Sequence, residues 1–174
     1  MLIRPYARED ASGLYQAAAE SVAQVQPWMP WCHDRYSLAD AESWTTHQIA
    51  AFEARTEFDF VIVDDTGTII GGCGLNQFDA ANRRANMGYW VRTSSAGHGY
   101  ATMAVKQLVS WAISNTQFQR LEVVVAVRNL ASLRVAQKAG AIREGVLRSR
   151  LLLHGEFHDA LMHAFIRQDP AAGS

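Results

Sequence analysis

The chain predicts a mixed α/β fold: one domain built on a sheet of six or seven strands, mostly antiparallel, with about four helices. Short runs rich in β-branched and aromatic residues are bounded by turns, and apolar residues recur at helical spacing in other segments. The order of these runs is strand, two helices, three strands, then helix, strand, helix and two closing strands. A length of 174 residues suffices for one sizeable core and is too short for two.

Leu2 to Tyr6 reads as a short first strand. Asp10 stands where it would cap a helix running to about Val25, with Leu14, Ala17, Ala18 and Val22 along one face. Two prolines in Gln26-Pro27-Trp28-Met29-Pro30-Trp31 end that helix, because proline lacks the amide that would continue it. Ser37-Leu38-Ala39-Asp40 has the form of a capping box and opens a second helix that ends near Arg55. Phe58 to Val63 is rich in β-branched and aromatic residues, and Asp64-Asp65-Thr66-Gly67 supplies a hairpin turn into the strand from Thr68 to Phe78. A second turn at Asp79 to Asn82 leads into a strand from Arg84 to Arg92. Ala101, Ala104, Val105, Leu108, Val109 and Ala112 then mark a helix from about Gly99 to Asn115. Leu121 to Val127 is a buried strand, Asn129 caps a further helix, and Gly140 stops it. Ile142 to Leu153 and His158 to Ile166 close the sheet around a turn at Gly155. The domain is expected to cover residues 1–168, with 169–174 as a frayed tail.

Sixteen Lys and Arg against seventeen Asp and Glu leave a net charge of −1, which gives no electrostatic footprint for nucleic acid or an anionic membrane. No apolar run approaches the length of a membrane span, and the first residues lack the basic and apolar regions of a secretory signal. Cys32 and Cys73 are isolated thiols without CxxC spacing, and the six histidines form no ligand cluster. A cytoplasmic protein with no metal is the expectation.

The most informative stretch is Tyr89-Trp90-Val91-Arg92-Thr93-Ser94-Ser95-Ala96-Gly97-His98-Gly99-Tyr100-Ala101-Thr102, where a strand feeds a glycine-bearing loop that opens into a helix. Glycine lets the backbone approach a ligand closely, and the first helical turn presents unpaired amides with the positive end of the dipole. Together they suit a pyrophosphate. The lysine and spacing of a P-loop are missing, and the loop lacks the third glycine of a dinucleotide fingerprint.

These residues resemble the acetyl-coenzyme A signature of the GNAT superfamily of N-acetyltransferases, Gln/Arg-x-x-Gly-x-Gly/Ala. Gly99 and Ala101 match its last two defined positions, Gly97 is a common choice inside it, and Ala96 departs from the usual Gln or Arg. The likeness runs from about Ile3 to Ile166. Ile70-Gly71-Gly72-Cys73-Gly74-Leu75 and Met87-Gly88-Tyr89-Trp90-Val91 look like the family's third and fourth strands. Asn129-Leu130-Ala131-Ser132 with Val135 to Ala141 resembles the segment that closes over the pantetheine arm. Pro27 to Trp31, the stretch from Asn76 to Trp90, and Gly155-Glu156-Phe157-His158-Asp159 are most similar to the ribosomal-protein N-terminal acetyltransferases.

The resemblance implies an enzyme that moves acetyl from acetyl-coenzyme A to a primary amine by direct transfer. The amine would belong to a protein N-terminus or a small molecule, and the enzyme would be a homodimer. It implies a splay in the sheet beside Trp90, where pantetheine pairs with backbone near Trp90 and Val91. The loop Ala96, Gly97, His98, Gly99, Tyr100, Ala101 and Thr102 would hold the pyrophosphate. Asn129 would contact pantetheine, Ser132 would give a proton to the departing thiolate, and Lys138 and Arg134 would reach the adenosine phosphates. Trp28, Trp31, Tyr36 and Asn76 are candidates for the acceptor pocket. Many relatives carry a glutamate two residues before Gly-Tyr-Trp, and here that position is Asn86, which cannot act as a base. Glu122, His158 and Asp159 are the substitutes the sequence offers. A non-catalytic acyl-coenzyme A binder is the rival reading.

Overall fold

A computed structural model describes residues 1–167, so the expected tail at 169–174 lies outside the described residues. Seven strands form one sheet: β1 (Leu2–Pro5), β2 (Phe58–Val63), β3 (Ile69–Asp79), β4 (Arg84–Val91), β5 (Arg120–Ala126), β6 (Ile142–Leu153) and β7 (Glu156–Ile166), in the spatial order β1-β2-β3-β4-β5-β7-β6. Every neighbouring pair is antiparallel except β4 with β5. The helices are α1 (Asp10–Val25), α2 (Leu38–Ala54), α3 (Tyr100–Asn115) and α4 (Leu130–Ala139).

Strand periodicity sorts the core onto two faces. Phe58, Phe60 and Ile62 of β2 join Val105 and Leu108 of α3 and Leu133 of α4 in the larger cluster. Val61 and Val63, one position out of phase, pack with Leu14 and Ala17 of α1 and Ala41 of α2. The sheet therefore lies between α1 and α2 on one side and α3 and α4 on the other.

Local chemistry sets the helix ends. Ser37 and Asp40 form the expected capping box: the Ser37 hydroxyl accepts from the Asp40 amide and the Asp40 carboxylate accepts from the Ser37 amide. Gly140 ends α4 with φ 101°, a left-handed conformation that costs glycine little. Asp10 differs from expectation. It begins α1 without capping a downstream amide; its carboxylate instead accepts from Ala7 N at 2.7 Å and receives both terminal nitrogens of Arg4. Asp10 thereby ties β1 to α1.

Candidate active site

The parallel pair β4 and β5 runs in register for only three residues, Arg84 to Asn86 against Arg120 to Glu122. Beyond them β4 stays bonded to β3 as far as Val91, and β5 stays bonded to β7 as far as Ala126. The two strands thus diverge into the expected splay, whose facing edges carry backbone amides and carbonyls without strand partners. An extended chain bearing amide groups can occupy such a gap by adding ladder hydrogen bonds. Trp90 and Val91 lie on its β4 edge.

The glycine loop follows the open end of β4. Thr93–Ser95 form one 3-10 turn, then Gly97 (φ 81°) and Gly99 (φ 82°) reverse the chain into α3. The first α-type bond of that helix runs from Met103 N to Gly99 O, so the amides of Tyr100, Ala101 and Thr102 have no intrahelical acceptor. A Cβ at Gly97 or Gly99 would meet nothing within 4 Å, so open space stands before both. Ala96 and His98 are exposed, and the His98 ring lies against Tyr100 with centroids 5.9 Å apart. This geometry fits a pyrophosphate held by backbone.

Sequence reasoning missed what steadies the loop. Glu20 of α1 accepts from Arg92 and from Ser94 N (2.7 Å), and Ser21 Oγ accepts from Thr93 N (3.0 Å). The bonds from Arg92 and Ser94 pull the Glu20 carboxyl down to about 2. No local pattern links residues 72 positions apart.

Across the splay, Asn129 caps α4: its Oδ1 accepts from Ser132 N at 3.1 Å. The Ser132 hydroxyl donates to Tyr89 Oη at 2.9 Å, and Tyr89 Oη donates to the Ser132 carbonyl at 2.9 Å. Burial pushes the Tyr89 phenol up to about 12, so it holds its proton at neutral pH. Ser132 therefore acts as half of a hydroxyl pair that bridges the two arms of the splay. Arg134 and Lys138 stand exposed on the same helix.

Beneath α1 and α2 the sheet carries a cavity of about 550 Å³. Glycine makes part of its floor: Gly72 of β3 and Gly88 of β4 line it, and Gly74, on the same face as Trp90, Asn76 and Asn86, lies under the Asp59 carboxylate. Trp31, Tyr36 and Trp90 form one edge-to-face aromatic group, with ring centroids 5.5 Å and 5.4 Å apart. Asn76 lines the cavity and accepts from Asn86 Nδ2 at 2.9 Å. Trp28 is not a lining residue; the turn around the prolines presents Met29 and Trp31 to the cavity instead.

None of the three carboxylate or imidazole substitutes reaches this cavity. Glu122 spends both oxygens on ion pairs, with Arg84 at 2.9 Å and Arg120 at 2.8 Å, and so serves the sheet. Asp159 accepts from Ser149 N at 2.8 Å where β6 bulges, and His158 sits opposite Leu151 in the same hairpin. Asp59, passed over in the sequence, does line the cavity. It is a half-buried residue whose Oδ2 is shut off from solvent without a hydrogen-bond partner, and desolvation with the nearby Glu57 charge raises it to about 7.

The acetyltransferase (GNAT) domain family matches residues 1–142. YdaF of Bacillus subtilis (strain 168) is 25% identical over 96% of this chain and 91% of its own length. The ribosomal-protein-serine acetyltransferase of Escherichia coli (strain K12) is 24% identical over 88% of this chain and 85% of its own. The microcin C7 self-immunity acetyltransferase MccE, crystallised with acetyl-coenzyme A and AMP, superposes with a TM-score of 0.88 at 22% identity, covering 94% of this chain and 91% of its own. With its sevenfold sheet, splayed parallel pair and glycine loop at the start of α3, the chain belongs to the acetyltransferase (GNAT) domain family and is an acyltransferase that uses acetyl-coenzyme A.

Proposed function

We propose that the protein transfers acetyl from acetyl-coenzyme A directly to a primary amine, on a protein N-terminus or a small molecule, within a ternary complex. The observation that carries this reading is the meeting of two chambers at the splay. The glycine loop and α3 start lie at the end of β4, and the aromatic cavity opens beside Trp90 on the same strand.

Acetyl-coenzyme A supplies an activated thioester. The unpaired β4 edge offers amides to the developing oxyanion, where a preorganised donor contributes most because it needs no reorientation. The Tyr89–Ser132 hydroxyl pair sits where β4 and α4 face each other and holds protons for a departing thiolate. Neither cysteine offers a covalent route: both are buried, and burial raises the Cys32 thiol to about 11 and the Cys73 thiol further still. The names of a relative and of a structural neighbour, a ribosomal-protein-serine acetyltransferase and a ribosomal L7/L12 alpha-N-protein acetyltransferase, favour a ribosomal protein as acceptor. Exposed Ile142, Val146, Leu152 and Phe157 on the β6–β7 hairpin support a homodimer, which light scattering on the purified protein tests.

The deciding experiment is chromatographic detection of coenzyme A from protein, acetyl-coenzyme A and a panel of N-terminal peptides, polyamines, amino acids and aminoglycosides. Release that depends on one class of amine supports the reading and names the acceptor. No amine-dependent release across the panel, from protein shown to bind acetyl-coenzyme A, overturns it.

A further inference from the structure

Along β2 the side chains alternate, with Phe58, Phe60 and Ile62 entering the larger core and Asp59, Val61 and Val63 turned to the α1–α2 face. Asp59 is the one charged residue in that strand. Directly across from it on β3 is Gly74, and across from Gly74 on β4 is Gly88. A Cβ at Gly74 would sit 2.0 Å from Asp59 Oδ1, so the carboxylate lies over β3, leaning toward β4 through space that any other residue would fill. At Gly88 a Cβ would meet nothing within 4 Å. The carboxylate therefore stands about one strand spacing, ~4.8 Å, from vacant cavity at the first residues of the splay.

We propose that Asp59 is the catalytic carboxylate of this enzyme: it binds the acceptor amine as an ammonium ion in the glycine-floored cavity and takes its proton. The assignment rests on the amine-acetylation reading above and supplies the base that Asn86 does not.

Three further observations support it. Asp59 Oδ2 is buried without a partner, although burying an unpaired carboxylate is expensive and a structural one is normally bonded. Among the described residues no cation pairs with it. The titratable groups around it are Tyr6 just after β1, Tyr36 before α2, Asp40 and His47 on α2, Glu57 ahead of β2 and Cys73 on β3. Burial holds Tyr6 and Cys73 neutral, Asp40 stays ionised through its bonds to Ser37, and the His47 ring is 3.8 Å from Glu57. The cavity's charge thus favours an incoming cation, and the aromatic lining of Trp31, Tyr36 and Trp90 suits an ammonium group.

The step balances. The ammonium gives one proton to Asp59, leaving a neutral amine and a carboxylic acid. The nitrogen lone pair forms the C–N bond to the thioester carbon, and the C–S bond breaks with its electrons on sulfur. The thiolate takes up the second proton lost by nitrogen, relayed through the Tyr89–Ser132 pair, and Asp59 returns its proton to solvent. A carboxyl held at about 7 is matched to this work at neutral pH.

The test compares wild type with Asp59→Asn, using the best amine from the panel. Coenzyme A release is followed from about pH 6 to 9, and amine binding by the protein without acetyl-coenzyme A is measured by calorimetry near pH 8. The expected loss in kcat/KM at neutral pH is about 100-fold or more. Acetyl-coenzyme A affinity stays unchanged, which also shows that the variant is folded, and amine binding weakens about tenfold or more. Wild-type kcat/KM should level off above about pH 7, whereas Asp59→Asn should keep rising about tenfold per pH unit toward the amine's own pKa, near 10. A folded Asp59→Asn with wild-type kcat/KM, pH profile or amine affinity removes Asp59 from the mechanism and leaves the acetyltransferase reading intact. A wild-type enzyme that acetylates no amine overturns both.

Discussion

Replacing Asp59 by asparagine removes an unpaired buried charge while keeping the side chain's shape, and the consequence for stability depends on pH in a defined direction. The carboxyl is raised from 3.8 to about 7 by folding, chiefly through burial. Below about pH 4 the group is protonated in both folded and unfolded chains, so it makes no difference between them. As pH rises from about 4 to about 7 the unfolded chain releases the proton and the folded one keeps it, so wild type loses stability through that window. Above about pH 7 the loss is complete. At about 1.36 kcal/mol per pH unit, the full penalty is about 4 kcal/mol. Asparagine never carries it. Any cost of the new amide's unpaired hydrogens, about 1–3 kcal/mol, is a constant offset across pH. The measurement is urea unfolding of both proteins at about pH 4.5 and about pH 8, without ligand. The stability of Asp59→Asn minus that of wild type should rise by about 3–4 kcal/mol between the two. A difference that stays constant with pH refutes the picture of a desolvated, unpaired carboxylate.

Gly99→Glu should weaken acetyl-coenzyme A binding about 100-fold or more by calorimetry, because it forces a side chain into a backbone at φ 82° and sets a negative charge at an anion site. Tyr89→Phe breaks both hydroxyl bonds to Ser132, so kcat should fall about 10- to 100-fold with little change in KM for either substrate. Glu20→Ala releases Arg92 and the Ser94 amide, and steady-state kinetics should show KM for acetyl-coenzyme A raised several-fold, about 1 kcal/mol, with kcat nearly unchanged. Equal KM in that last variant would mean the loop holds its shape without α1.

Where the sequence was legible, local chemistry was decisive. The Ser37–Asp40 box, the αL glycine after α4 and the β-branched and aromatic run of β2 are each written within a few residues and appear where expected. The glycine loop was equally readable, since strand, glycines and helix are consecutive. What could not be read depends on pairing across the sheet. Glu122 looked available as a base, and only the fold brings Arg84 from 38 residues away against it; Arg120, two residues off on the same face, was the available hint. Trp28 and Trp31 are indistinguishable as tryptophans in a proline-bounded turn, and the backbone between Val25 and Cys32 decides which one meets the cavity. Asp59 carries no local signal, being a single acid inside a strand of β-branched and aromatic residues. The signal that could have found it is the run Gly71-Gly72-Cys73-Gly74, because glycines inside a strand mark a close approach by something else.

The geometry also accounts for how a carboxylate on β2 can replace one on β4. Asn86 and Gly88 are two residues apart on one face, and Gly88 shares a row with Gly74 and Asp59. A glutamate at position 86 and the aspartate at 59 would therefore address the same vacant space over Gly88, the first from along β4 and the second from across Gly74. In this chain Asn86 donates to Asn76 and closes that side. Opening it should transplant the base. Asn86→Glu added to Asp59→Asn is expected to recover at least about tenfold of the kcat/KM lost in the single variant, since a general base within reach contributes about 10²- to 10⁴-fold. Asn86→Glu alone should gain little and instead raise the Asp59 pKa, because two carboxylates facing one space cannot both ionise freely. The double variant's pH profile carries the decision. A restored plateau means that position in the row, and not the strand of origin, makes the base. A rate that stays low and keeps climbing with pH, in a protein that binds acetyl-coenzyme A normally, would show that the cavity admits the proton acceptor from the β2 side only.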